Sequence, residues 1–152
     1  MNTINYEIEI SAPVGRVYEY YTNPDNIKKA WPQDIVKESE SVSGTKGEEG
    51  SEIKVEGEYM GREEKMILQV TDKEESKRLV TEQKEGPFKF WKSTQEFNEN
   101  QGNTHVRHSI EYELPTSGKI ASFLSGEQAN TKLEEGLQQA AQTVKQKLES
   151  VA

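Results

Sequence analysis

The chain has 152 residues, enough for one domain around one core, and a single domain over residues 1–152 is expected. Its 27 acidic residues outnumber 19 basic ones, and the resulting net charge of −8 disfavours nucleic acid and anionic membrane surfaces as partners. The absence of cysteine excludes disulfides, thiol catalysis and thiolate metal sites.

The opening MNTINYEIEIS lacks the basic stretch and apolar run of a secretion signal. No apolar run approaches the roughly 18 residues of a membrane span. A soluble, cytoplasmic protein is the expectation.

Thr3 to Ile10 alternates strictly, with Ile4, Tyr6, Ile8 and Ile10 on one face, and this predicts a half-buried strand. Ser11-Ala12-Pro13 breaks it, and Ser11 or Pro13 opens a helix carrying Val14, Val17, Tyr18 and Tyr21 at helical spacing. Asn23-Pro24 ends that helix, and a second short one over Asn26 to Trp31 stops at Pro32. Ile35 to Val42 is a weakly apolar strand, and Gly44 to Gly50 is a turn. Ser51 to Met60 places Ile53, Val55, Gly57 and Tyr59 on one face and glutamates and Lys54 on the other. Met66, Leu68 and Val70 mark the next strand, and Lys77 to Glu85 a shorter one. Phe88–Phe97 and Thr104–Leu114 are long strands joined by a tight turn at Asn100–Asn103, where Gly102 supplies positive φ. From Lys119 the period changes, and Leu133, Leu137, Ala140, Ala141, Val144 and Leu148 recur at three- and four-residue steps, predicting an amphipathic helix of about 30 residues.

Short turns between consecutive strands imply antiparallel pairing. A long helix cannot bury its apolar stripe alone, and a sheet with one apolar face is its complement. The expected fold is therefore α+β: a curved antiparallel sheet of about six to seven strands wrapped around a long C-terminal helix, with two short helices after the first strand.

Several residues carry a family resemblance. Ile10-Ser11-Ala12-Pro13-Val14 followed by Val17-Tyr18, Asn23-Pro24 and Trp31-Pro32 is one set. Gly86-Pro87-Phe88-Lys89-Phe90-Trp91, Glu96-Phe97, Gly102-Asn103-Thr104 and Glu111-Tyr112-Glu113-Leu114-Pro115 form the other. Over nearly its whole length the chain resembles the START-like, or SRPBCC, superfamily, a helix-grip fold that includes polyketide cyclases and coenzyme-Q-binding proteins. The resemblance implies a ligand-binding domain with a hydrophobic cavity. Where such relatives often carry alternating histidines after the strand tryptophan, this chain has Ser93 and Gln95, and His108 stands where an acidic residue is common.

Strand parity then sorts the candidate site residues. Trp91, Ser93, Gln95 and Phe97 point inward from one strand, and His108, Ile110 and Tyr112 from the next. In a simple hairpin register His108, Ser93 and Gln95 are neighbours, a small polar cluster in an apolar cleft. Tyr59, Phe123 and Leu137 complete the expected ligand-binding set. Burial should lower the His108 pKa and keep its ring neutral. A Ser93–His108 nucleophilic pair lacks the sharp turn and oxyanion-hole pattern such chemistry needs. His105 and His108 fall on opposite faces and do not chelate one ion. Gly44, Gly47 and Gly50 follow no phosphate-loop pattern, so no metal or cofactor is expected.

Three functions fit this reading. The first is binding or transport of a small hydrophobic or aromatic ligand, such as a lipid, quinone or polyketide. The second is a polyketide cyclase or dehydratase using His108 or a tyrosine as acid/base. The third is a protein-interaction module resembling activators of a heat-shock chaperone ATPase. An open, uncharged cavity favours the first, a perturbed His108 in an open cavity favours the second, and a closed interior with an exposed apolar patch favours the third.

Overall fold

The computed structural model describes residues 1–59, 62–115 and 126–150. Strand β1 (Asn2–Ile10) buries Ile4, Ile8 and Ile10 and exposes most of the residues between them, as the alternation requires. Helix α1 (Val14–Thr22) starts behind Pro13, whose φ of −67° suits the entry, and it buries Val17 and Tyr18. The Ser11 backbone N–H is not part of the cap; it donates to Glu149 at 2.7 Å. Helix α2 (Asp25–Ala30) begins where the Asp25 N–H donates to the Asn23 side chain at 3.1 Å, and it stops at Trp31-Pro32.

Seven antiparallel strands follow the order β1-β7-β6-β5-β4-β3-β2. Besides β1 they are β2 (Val36–Ser43), β3 (Glu52–Tyr59), β4 (Arg62–Glu74), β5 (Arg78–Glu85), β6 (Phe90–Asn100) and β7 (Asn103–Glu113). The expected helix-grip architecture is present. Strand β4 is longer than the Met66–Val70 pattern suggests. Its ends carry no apolar alternation, yet pairing with β3 from Arg62 and with β5 to Glu74 extends it. Register shifts between Val70 and Asp72, and in β2 between Val36 and Glu38, bend the sheet. The β6–β7 turn has two residues at positive φ, Gln101 at 54° and Gly102 at 84°, the pairing that suits a tight hairpin.

Strand β2 reads weakly in sequence because its central inward residue is polar. Ser39 is buried; its hydroxyl donates to the Pro24 carbonyl at 2.6 Å and accepts from the Lys28 N–H at 3.0 Å, fixing α2 against the sheet. Gly57 has a steric role on the neighbouring strand. The Ile35 carbonyl oxygen fills the place where a Gly57 Cβ would stand, and it accepts the Glu58 N–H at 3.1 Å.

Helix α3 (Gly126–Glu149) lies in the concave face of the sheet. The residues between Lys119 and Gly126, expected to begin this helix, lie outside the described residues. Leu133 and Leu137 pack with Ile4, Ile53, Val55, Trp91 and Ile110. Ala140, Ala141, Val144 and Leu148 pack with Ile8, Ile10, Val17 and Phe97. Polar ties hold both ends: Tyr112 Oη donates to Asn130 at 2.7 Å, Lys145 Nζ donates to the Glu9 carbonyl at 2.6 Å, and Arg16 donates to the Leu148 carbonyl at 3.0 Å.

The Gly57 contact gives a test of this packing. Gly57→Ala places a methyl group inside the van der Waals radius of a backbone oxygen, which no rotamer change relieves. A loss of about 3 kcal/mol or more in urea unfolding is expected, at or above the usual overpacking cost. A change under about 0.5 kcal/mol, the size of an ordinary surface substitution, would overturn this account of the β2–β3 crossing.

Candidate functional site

A cavity of about 140 Å³ separates α3 from the concave sheet. That is close to the about 150 Å³ of an engineered apolar cavity that accepts benzene. Its roof is α3, through Leu133, Leu137, Ala140, Ala141 and Val144. Its floor is the sheet, including Val55, Leu68, Leu79, Trp91 and Ile110. Its end wall comes from the two short helices and the residue after them: Tyr20, Tyr21, Ile27, Ala30 and Trp31.

Within this apolar surround, three strands contribute a polar stripe. Thr81 on β5 pairs directly with Ser93 on β6, and Gln95 pairs directly with His108 on β7. Gln95 Nε2 donates to Ser93 Oγ at 2.9 Å. The hairpin register places Ser93, Gln95 and His108 side by side as strand parity implies, but their bonding differs from a single cluster. His108 turns to helix α1, where its Nε2 shares a 3.1 Å hydrogen bond with Tyr21 Oη.

His108 is only 2% exposed. Its neighbours across the strands are Tyr6 and Gln95, both neutral, and burial pushes its pKa down to about 4. Burial also pushes the Tyr21 phenol up, so neither partner ionises near neutral pH. The bond to Tyr21 uses one ring nitrogen. The other, Nδ1, is buried with no hydrogen-bond partner among the described residues. His105, one strand face away, forms a 2.7 Å pair with Glu7 on the outside. No group of three or more metal-ligating side chains exists among the described residues.

Of the residues singled out by sequence, Trp91, Ser93, Gln95, His108, Ile110 and Leu137 line the cavity. Phe97 and Tyr112 share the inward face but do not reach it. Phe97 packs edge-on against Tyr18 and Tyr21, with ring centroids 5.3 and 5.5 Å away, beneath α1. Tyr112 is fully buried, spends its hydroxyl on Asn130, and braces Trp91 at a centroid distance of 6.2 Å. Inward parity is shared by the whole strand, whereas the void occupies only its middle. Phe123 and the side chain of Tyr59 lie outside the described residues. Tyr20, Tyr21, Trp31 and Thr81 are additional lining residues. The helical spacing of Tyr21 with Val14, Val17 and Tyr18 marked it as inward, and Thr81 shares parity with Leu79, but neither signal distinguishes a cavity wall from core.

The buried imidazole makes stability depend on pH. Its folded pKa lies below the unfolded value of about 6.5, so the unfolded chain takes up a proton that the folded chain refuses. This contribution is whole above about pH 6.5 and falls as pH drops toward about 4, by at most about 1.4 kcal/mol per pH unit. From about pH 7 to about pH 5 the native protein should lose roughly 2 kcal/mol more than the variant His108→Gln in urea unfolding. Equal losses in the two proteins would show that the ring is solvated.

The comparisons agree with this architecture. The family model described as polyketide cyclase / dehydrase and lipid transport matches residues 1–149. No curated protein matches the sequence. Among solved structures, a protein from Thermus thermophilus is similar at a TM-score of 0.82 and 18% identity, covering 99% of both chains. A START superfamily protein from Mycobacterium smegmatis gives 0.79 at 13% identity, again over 99% of both chains. The Zhui aromatase/cyclase from a Streptomyces species gives 0.76 at 12% identity over 97% of this chain and 93% of that one. At these identities the structures report the fold, and the family model reports the membership: the chain belongs to the polyketide cyclase/dehydrase and lipid transport family.

Proposed function

We propose that this protein binds a small hydrophobic or aromatic molecule in the cavity between α3 and the sheet, as a carrier rather than a catalyst. The observation that carries this reading is the cavity itself: an apolar surround with a few convergent polar groups, the usual composition of a small-molecule site. Trp31 and Trp91 offer flat faces for stacking.

Two further features favour binding over the other readings. His108 is perturbed, as an acid/base residue can be, but burial pushes its pKa down to about 4, away from the neutral range in which a general acid or base works best. A protein-docking module exposes a contiguous apolar patch, whereas among the described residues the exposed large hydrophobic side chains are the isolated Met1 and Val42.

A compact, neutral, environment-sensitive two-ring dye such as 1-aminonaphthalene tests the proposal. Its emission should rise on mixing with the native protein and fall when a flat apolar competitor is added. Ala140→Leu, which grows a helix-compatible side chain into the cavity, should weaken the dye by at least about tenfold without lowering thermal stability. No dye binding by the native protein, or undiminished binding by a folded Ala140→Leu variant, would remove the cavity-binding reading.

A further inference from the structure

The lining of the cavity is as informative for what it omits as for what it contains. Among the described residues no Asp, Glu, Lys or Arg side chain borders it. His108, the titratable base on that lining, is held neutral by burial and already bonded to Tyr21. An ionised ligand group entering this space would exchange its hydration for apolar walls and find no countercharge. The net charge of −8 adds a repulsive field against anions during approach.

The polar groups bordering the cavity divide into two sets. At the α1–α2 end three side chains each spend one polar atom on a local turn: Thr22 Oγ1 donates to the Glu19 carbonyl at 2.9 Å, Asn26 Nδ2 donates to the Tyr20 carbonyl at 2.9 Å, and the Asn23 side-chain oxygen accepts from the Asp25 N–H. Those on the floor keep unused capacity. Ser93 Oγ accepts from Gln95 and retains its own proton to donate; Gln95 Oε1 and the Thr81 hydroxyl have no hydrogen-bond partner among the described residues. The floor therefore offers neutral donors beside a neutral acceptor, a match for a carbonyl or hydroxyl.

Resting on the binding reading above, we infer that the ligand is an uncharged, compact ring compound whose carbonyl or hydroxyl seats on the Thr81–Ser93–Gln95 stripe, and that the cavity discriminates against carboxylates. This separates neutral ring compounds that carry a carbonyl or hydroxyl from fatty acids and other anionic lipids.

Three ligands of one shape isolate the polar end: naphthalene, methyl naphthyl ketone and naphthoate, each titrated against bound 1-aminonaphthalene at neutral pH. The ketone should bind at least about tenfold more tightly than naphthoate, and more tightly than naphthalene, because unpaired buried polar groups are costly. In the triple variant Thr81→Val/Ser93→Ala/Gln95→Leu the ketone should fall to the level of naphthalene, while naphthalene is unchanged or improved. Naphthoate binding as tightly as the ketone, or a ketone preference that survives in the folded triple variant, would overturn the inference while naphthalene binding leaves the carrier reading intact. Failure of all three compounds and of the dye would instead overturn the carrier reading and this inference with it.

Discussion

The fold depends on one geometric constraint: the apolar stripe of α3 must be buried against a sheet wide enough to curl around it. A seven-stranded sheet twists and, with bulges in β2 and β4, closes partly on itself. The helix then contacts the sheet firmly near its two ends, where hydrogen bonds at Asn130, Lys145 and Leu148 tie it down. Between those ends the α3 stripe sets two small residues, Ala140 and Ala141, among Leu133, Leu137 and Val144, and the facing strands carry Thr81, Ser93 and Gln95. Short side chains above and polar ones below do not interdigitate, and the space they leave is the cavity. The same stripe that builds the core thus also sets where the core stops.

Gly136 extends this argument to the end wall. A glycine inside a helix is roughly 1 kcal/mol less favourable than alanine. Here a Cβ would lie 2.6 Å from Ile35 Cδ1 and 2.9 Å from Trp31 Cζ3. The helix forgoes propensity so that the Trp31 ring can lie close against it. Trp31 in turn follows α2, and α2 is held by the paired bonds of Ser39 to Pro24 and Lys28. A buried serine on an edge strand therefore positions an aromatic wall of the cavity.

Much of this was legible in the sequence, because it rests on periodicity. The period-2 runs of β1, β6 and β7 and the change of period before α3 follow from which side of an element meets the core, and the helix-grip topology follows from their order. Strand parity correctly faced His108 inward and His105 outward. Parity could not say where along β6 and β7 the void lies, so Phe97 and Tyr112 were grouped with Ser93 and His108 although one packs under α1 and the other under Asn130. Nor could it identify the His108 partner. Tyr21 lies 87 positions away in sequence, and its contact is set by how α1 docks on β6 and β7, a tertiary fact with no local trace. Gly57, Gly136 and Ser39 read as unfavourable or neutral locally, and only packing explains them.

The cavity has an energetic consequence that ties stability to occupancy. The apolar walls of the cavity face one another across about 140 Å³ without packing, so a bound molecule that covers them would add to the stability of the folded state. The unpaired His108 Nδ1 and the unused capacity of Ser93, Gln95 and Thr81 act in the same direction. None of these features is needed to hold the sheet to α3, since the hydrogen bonds at the helix ends and the two apolar clusters already do so. A core shaped only by stability would replace Ala140 with a larger apolar residue and Gln95 with leucine, closing the void at little conformational cost. On the proposed reading the occupied form is the more stable one, because a neutral ring compound would supply both the missing packing and the missing hydrogen-bond partner.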